Sequence, residues 1–233
     1  MKSTIIMVLC FVLVCPIVFA ETDEVQPQGV YAQIDTKREM QAIDSLLNGN
    51  DKVKAQTAKE IVDHSDQYCP AVFFFLSRYF FYENKDDDAI FWLYAGRIRM
   101  WYDVKKCTDK SVEDSVDAMS AQLPDLLRSI QFENIENSKK LLKKAAEWDR
   151  STLHNYDPAW IALHGLGAFM PNADKVTLDS LNIPKDKWAA LAEENRSEYL
   201  KDYDEYFDQI TPEQLLEMKK KIEEMKKEQN INH

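Results

Sequence analysis

The chain has 233 residues, of which 45% are hydrophobic and 30% are charged, and its formal net charge is −11 at pH 7. This length and composition exclude a mainly disordered chain and predict one sizeable domain or two small ones. The acidic balance argues against nucleic acid as a partner, because phosphate contacts require basic patches, and it favours a basic protein partner.

The first twenty residues have the pattern of a secretory signal peptide. Lys2 supplies a positive start, residues 5–14 form an apolar run, and residues 18–20 suit a signal peptidase. The run is too short to cross a bilayer comfortably, and no later run reaches that length. We therefore expect cleavage near Ala20, a location in the periplasm or outside the cell, and no membrane insertion after cleavage.

Beyond the signal peptide, apolar residues recur at helical spacing. The polar stretch 21–35 is predicted to be a flexible N-terminal arm, 36–210 an all-helical domain, and 211–233 a C-terminal helix. Within the domain, the first expected helix ends at Gly49. Further helices are expected over 53–62, 70–82, 89–104, 111–121, the residues after Pro124, 135–148, 158–166 and 188–207, and a loop is expected over 171–184. No segment alternates as a β-strand would, so the fold class is predicted to be all-α.

The last helix has the clearest start. Thr211 is placed as its N-cap, Pro212 takes the first helical position, and Gln214 stands three residues after the cap. The apolar positions then step by three and four residues at Leu215, Met218, Ile222 and Met225, which is a short heptad seam. Two heptads are few for a coiled coil, so we expect this helix to dock onto its own domain.

Residues 73–102 hold nearly half of the aromatic residues of the chain. Two helices joined by a short polar turn run antiparallel, so this segment is an aromatic hairpin. It has two interpretations, which are a groove for an aromatic ligand or peptide and a core of large side chains. For the first, the hairpin contributes Tyr79, Tyr82, Trp92 and Trp101 to the candidate binding surface. Tyr156 and Trp160 complete that surface from the 155–160 turn, which is either a recognition loop or an ordinary helix start.

The spacing in this hairpin resembles one Sel-like repeat of the tetratricopeptide class, over about residues 71–105. The matching positions are Ala71, Leu76, Tyr79, Asp88, Ala89, Trp92 and Ala95. Ser77 and Asn84 stand where glycines are usual. The resemblance implies helical hairpins, a degenerate repeat array as one arrangement, and protein binding in place of catalysis.

Two cysteines, Cys69 and Cys107, remain after cleavage. They flank the aromatic hairpin, whose two free ends meet at one edge if the helices are antiparallel. An even pair in an oxidising compartment favours a disulfide, so we predict a Cys69–Cys107 bond.

Motifs that carry chemistry are absent from the sequence, including a phosphate loop, a nucleophile elbow and a zinc-binding histidine pair. His154 and His164 lie too far apart in sequence for typical zinc ligand spacing. The carboxylates of the charged helix, Asp202, Asp204, Glu205 and Asp208, are interpreted as a solvated face. We therefore assign no catalytic residue and expect neither a metal nor another cofactor.

Taken together, these patterns predict an exported helical protein-binding module of the bacterial envelope. A sharper version is an immunity protein that neutralises a toxin delivered to the periplasm. The alternative is a secreted hydrolase that uses dispersed carboxylates.

Cleavage after Ala20 is testable by mass spectrometry of the protein from its native host. Because the apolar run ends in a peptidase-type sequence, the mature N-terminus should be Glu21. An intact Met1, or a lipid on Cys10 or Cys15, would contradict export by this route.

Overall fold

The structure, a computed structural model, describes residues 26–170 and 175–231, and the side chains up to residue 228. Within these ranges every regular element is an α-helix or a short 3-10 helix, apart from one isolated β-bridge between Cys107 and Asn182. The predicted all-α class is confirmed. The predicted signal peptide and its cleavage site lie outside the described residues.

The helices follow the predicted order closely. The α-helices are α1 (Lys37–Asn48), α2 (Asp51–Asp63), α3 (Pro70–Tyr82), α4 (Asp86–Lys106), α5 (Asp114–Ala121), α6 (Asp125–Ser129), α7 (Ile135–Ser151), α8 (Trp188–Asp208) and α9 (Pro212–Ile231). The 3-10 helices cover Gly29–Gln33, Ser65–Gln67, Lys110–Glu113, Ile130–Phe132, Pro158–His164, Leu166–Phe169, Leu178–Leu181 and Lys185–Lys187.

The α3–α4 hairpin is the centre of the fold. Every residue from Pro70 to Ser77 is buried, as expected for a helix that is apolar nearly all round. Helices α1 and α2 pack against α3, whereas α7 and α8 pack against α4. None of the described helices, α3 included, is long and apolar enough to cross a membrane.

Close approach of the two helices depends on small residues. A side chain at Gly96 would meet the Phe74 ring at 3.2 Å, which is tighter than ordinary contact. The Ser77 hydroxyl donates to the Ala89 carbonyl oxygen at 2.7 Å across the hairpin. In the turn, Asn84 has a φ of 56°, a left-handed conformation that asparagine adopts more readily than most residues, so it fills the place of a glycine.

The aromatic residues of the hairpin form a core with α7. The ring of Trp148 lies 5.3 Å from that of Trp92 and 6.0 Å from that of Phe91, and Phe73 packs 5.1 Å from Trp92. The contacts of Trp148 are edge-on, the arrangement that aromatic quadrupoles favour. For these residues the interpretation as a large-residue core is correct.

Local helix signals were read correctly where they depend on near neighbours. The Asn134 side chain accepts from the Asn137 backbone N–H at 3.1 Å. Thr211 and Gln214 form the predicted reciprocal capping box, with bonds of 2.9 and 3.2 Å. The seam of α9 is its least exposed face and docks on α6 and the Ile130–Phe132 segment, with Ile222 buried.

Two predicted segments differ in the structure. Residues 29–33 are not a free arm, because they form a 3-10 helix in which Val30 and Tyr31 are buried. Gln28 also donates its backbone N–H to the Ala168 carbonyl at 3.0 Å. The α-helix expected over 158–166 is instead a pair of 3-10 helices separated by an extended Gly165.

The predicted Cys69–Cys107 disulfide is also corrected, since both cysteines are buried free thiols. Helix α3 has 13 residues and α4 has 21. At 1.5 Å per residue, α4 extends roughly 12 Å past the level of Cys69, so Cys107 lies beyond the edge where the bond was expected. Burial raises the pKa of both thiols, which lowers their reactivity as thiolates.

Thiol titration tests this correction. Unreduced protein that begins at Glu21, and so lacks Cys10 and Cys15, should show two thiols per chain that react with a disulfide reagent in denaturant. Almost none should react in the folded protein, because both groups are buried. Monomeric protein that shows no reactive thiol in denaturant would contradict the correction and support the Cys69–Cys107 disulfide.

Candidate functional site

The carboxylate of Asp103, near the end of α4, is fully buried and organises the chain around it. It accepts hydrogen bonds from the Tyr156 hydroxyl at 3.0 Å and from the Trp160 indole N–H at 2.7 Å. The Lys106 ammonium, one turn further along α4, lies 2.7 Å away. Asp103 therefore anchors the 156–160 segment to the end of α4.

Lys106 is almost fully buried among aromatic rings. Its nitrogen lies 4.1 Å from the ring centroid of Tyr102 and 4.8 Å from that of Trp188. Rings at this distance attract a cation through their quadrupoles, and the salt bridge with Asp103 balances the charge. This pair joins α4 to the start of α8.

A second segment is fastened to the same end of α4 by its backbone. Thr108 donates its N–H to the Leu181 carbonyl at 3.0 Å, and Ile183 donates to the Lys106 carbonyl at 2.8 Å. The Trp188 indole N–H then donates to the Ile183 carbonyl at 2.9 Å. The end of α4 thus positions both the 156–160 segment and the 181–188 segment.

A cleft of about 680 Å³ opens between these two segments. We call it the Trp188 cleft, and its lining includes Tyr156, Asp157, Leu178, Asp179, Lys185 and Trp188. Its volume lies within the range of about 300–1,000 Å³ that is usual for ligand sites.

The Trp188 cleft combines an aromatic face with two carboxylates. Asp157 caps the following 3-10 helix through the Ala159 N–H, and Asp179 lies on the opposite segment. The ammonium of Lys185, an exposed residue, lies 5.8 Å from the Trp188 ring centroid. The arrangement suits a cationic side chain whose aliphatic part rests on the ring.

A second buried charge cluster centres on Asp149 of α7. Its carboxylate accepts from Arg99 Nε of α4 and from Arg196 Nη1 of α8, each at 2.7 Å, and lies 2.9 Å from His154 Nε2. Arg99 is fully buried and also donates to the Ser65 and Thr152 carbonyls at 3.2 Å. Three helices and the loop after α7 therefore meet at one carboxylate.

The pKa of Asp149 reflects this environment. Burial alone would raise it, but the hydrogen bond from His154 and the charge of Arg99 outweigh burial and hold the pKa well below its usual value. The ionised form is favoured in the folded state. Its contribution to stability is present above the ordinary pKa and is lost as the pH falls toward the folded pKa.

The six aromatic residues of the candidate binding surface do not form one surface. Trp92, Tyr156 and Trp160 are buried, so the prediction that they contact a partner is wrong for Trp92 and Trp160, although Tyr156 borders the Trp188 cleft. Tyr79 and Trp101 are half-buried, and Tyr82 is 46% exposed.

These residues also lie at two ends of the hairpin. Tyr79 and Tyr82 are close to the α3–α4 turn, whereas Tyr156 and Trp160 bond to Asp103. Asp103 is 17 residues along α4 from Asp86, which corresponds to roughly 25 Å.

The histidines and the charged helix have structural partners. His154 contacts Asp149, and His164 packs edge-on against Trp160 at 5.5 Å. Asp204 and Asp208 of α8 both lie within 4 Å of the Lys139 ammonium. In the described ranges, no group of three or more histidine, cysteine, aspartate or glutamate side chains is arranged to hold a metal ion.

Sequence reasoning missed Arg99, Asp103 and Lys106, which take part in many of the buried polar contacts. Their spacing of four and three residues places them on one face of α4. Charged residues at helical spacing inside an otherwise apolar helix were the signal that could have identified them.

Comparison with protein-family models, with curated proteins and with solved structures finds no match for this chain. The resemblance to a Sel-like repeat stays a prediction. The geometry of the Trp188 cleft is therefore the basis for a functional proposal.

The Asp149 cluster predicts a large effect of Asp149→Asn. The substitution leaves Arg99 and Arg196 without a buried counter-charge, so it should lower the free energy of unfolding by about 3–5 kcal/mol. Urea unfolding measures the loss. The matched control is Glu147→Gln, which removes an exposed partner of Arg150 and should cost less than about 1 kcal/mol. Equal effects of the two substitutions would contradict the role given to Asp149.

Proposed function

We propose that this protein is an exported helical module that binds a protein partner, and that the Trp188 cleft receives a lysine or arginine side chain of that partner. The observation that carries the proposal is the Lys185 ammonium over the Trp188 ring. A flexible, exposed side chain of the protein itself occupies the position that a basic residue of the partner would take.

The charges around the ring support a cationic guest. Asp157 and Asp179 both line the cleft, and Lys185 is the one cation among the described residues of its lining. The Lys106 ammonium also lies 4.8 Å from the Trp188 ring, but Asp103 balances its charge. A partner lysine or arginine that displaces Lys185 would gain both carboxylates and the best of the aromatic rings for cation binding. The charge of −11 over the whole chain would also speed the approach of a basic protein.

The walls of the cleft suit a segment of polypeptide. Leu178 is 45% exposed beside the cleft, and Ile183, Pro158 and Pro184 add apolar surface. Apolar walls can hold the aliphatic part of a basic side chain and one neighbouring residue, while the charged head reaches the carboxylates.

The export part of the proposal rests on the N-terminal pattern of residues 1–20. An immunity protein is the finer version, in which the basic partner is a toxin delivered to the envelope. Deleting the gene should then reduce survival in co-culture with the parental strain. Unchanged survival would remove the immunity version and leave the binding proposal standing.

Selection from a displayed random peptide library tests the binding proposal. The selected peptides should carry a lysine or arginine beside an apolar residue, and synthetic copies should shift the Trp188 indole N–H resonance. Replacing that lysine with norleucine keeps the aliphatic chain, removes the charge, and should abolish most of the shift.

The protein variant Asp157→Asn/Asp179→Asn gives the matching test. It should weaken the selected peptide by roughly threefold to tenfold, because each exposed ion pair contributes little singly. Asp186→Asn/Glu194→Gln removes the same charge outside the cleft lining and should leave affinity unchanged. Equal binding of the norleucine peptide, or equal loss in both protein variants, would overturn the proposal. Cleavage of the peptide, seen by mass spectrometry, would favour the hydrolase alternative.

A further inference from the structure

A second hollow of about 430 Å³ lies between α4, α6 and α8, and it shares no lining residue with the Trp188 cleft. We call it the Arg97 pocket. Its lining includes Arg97, Arg128, Phe132, Asp202, Tyr203 and Tyr206. In contrast to the cleft, it is lined by arginines and tyrosines.

Arg97 has an unusual environment for this chain. Its Nη1 donates to the Tyr203 hydroxyl at 2.8 Å, and no carboxylate of the described residues lies within 4 Å of it. The arginines that do have such a carboxylate are Arg38, Arg99, Arg128, Arg150 and Arg196. A guanidinium has five N–H donors, so most of those of the half-buried Arg97 have no acceptor among the residues that the structure describes.

Other donors beside the pocket also lack acceptors. Arg128 Nε is buried without a hydrogen-bond partner, and so is the hydroxyl of Tyr199, a residue that is 8% exposed. The Tyr199 ring lies 4.7 Å from that of Tyr203. Burial raises the pKa of Tyr199, so its hydroxyl keeps its proton. Arg128 Nε and the Tyr199 hydroxyl are therefore buried donors without an acceptor, and such donors are costly.

The charges near the pocket favour a ligand with a single negative charge over one with two. Arg128 is paired with Asp125, and Asp202 lies exposed on the rim. Among the described residues of the lining, Arg97 is therefore the one cation without a carboxylate within 4 Å, and a doubly charged phosphate would meet more repulsion from Asp202 than a singly charged carboxylate does. A carboxylate can take two parallel hydrogen bonds from one guanidinium.

The rest of the pocket suits an aromatic body. The ring of Phe132 lies 6.1 Å from that of Tyr206, and Tyr203 lies 6.5 Å from Tyr206. Rings at these distances present edges and faces on which another ring can pack.

We propose that the Arg97 pocket binds a small aromatic monocarboxylate, with its carboxylate on Arg97 and its ring against Phe132, Tyr203 and Tyr206. The proposal does not rest on the function given to the Trp188 cleft. The carboxylate could belong to a free small molecule or to the C-terminal residue of a peptide, and the two sources present the same group to Arg97.

Calorimetric titration of the full chain tests this pocket with three probes. Benzoate represents a free aromatic acid, N-acetylphenylalanine represents a peptide C-terminus, and benzamide is the neutral isostere of benzoate. At least one of the two acids should bind. If benzoate binds, benzamide should bind at least roughly tenfold more weakly, because benzamide lacks the charge-assisted hydrogen bonds. The tighter acid identifies the source.

Three variants locate the binding. Arg97→Gln should weaken the binding acid by at least roughly tenfold, whereas Asp202→Asn should strengthen it because a nearby negative charge is removed. Arg78→Gln is the matched control, since no carboxylate in the described part of the chain lies within 4 Å of Arg78, which contacts the Tyr82 ring outside the pocket. The Arg78→Gln variant should bind the acid with the same affinity as the unmodified protein.

Several results would overturn the proposal. These are no heat from either acid up to about 10 mM, measurable binding of benzoate with equal affinity for benzamide, or unchanged affinity of the binding acid in Arg97→Gln. If Arg97→Gln fails to fold, the Asp202→Asn variant decides the test. An affinity of that variant for the acid that is lower than, or equal to, that of the unmodified protein would overturn the proposal.

Discussion

One buried carboxylate, that of Asp149, holds the fold together at its centre. It lies between Arg99 and Arg196, and those two arginines come from different helices. Buried charges destabilise a protein unless they are paired and hydrogen-bonded, so α4, α7 and α8 can pack only in the register that brings the three groups together. The cluster thus fixes the relative positions of the helices, in addition to any net stability that it contributes.

Helix α4 is the element that links this centre to both proposed sites. Its apolar face packs on α3, with Gly96 allowing close approach, while its polar residues point to other elements. Asp103 holds one wall of the Trp188 cleft, and Arg97 lies in the lining of the second pocket. A shift of α4 along its axis would therefore disturb the core, the cleft and the pocket together.

The sequence predicted what depends on neighbouring residues and missed what depends on distant ones. The Thr211–Gln214 capping box follows from a three-residue spacing, so it could be read directly. No pattern in the sequence pairs Arg196 with Asp149, because the two residues are 47 positions apart in the chain. The same limit explains the Trp188 cleft, whose walls come from segments that only α4 brings together.

A double-mutant cycle on Arg99 and Asp149 tests the central claim most directly. The variants are Arg99→Met, Asp149→Leu and the combination, with the free energy of unfolding measured for each. If the pair is the buried contact that positions α4 on α7, the double variant should lose less than the sum of the single losses by at least about 2 kcal/mol. Additive losses, within about 0.5 kcal/mol, would show that the two residues act independently and would contradict the account.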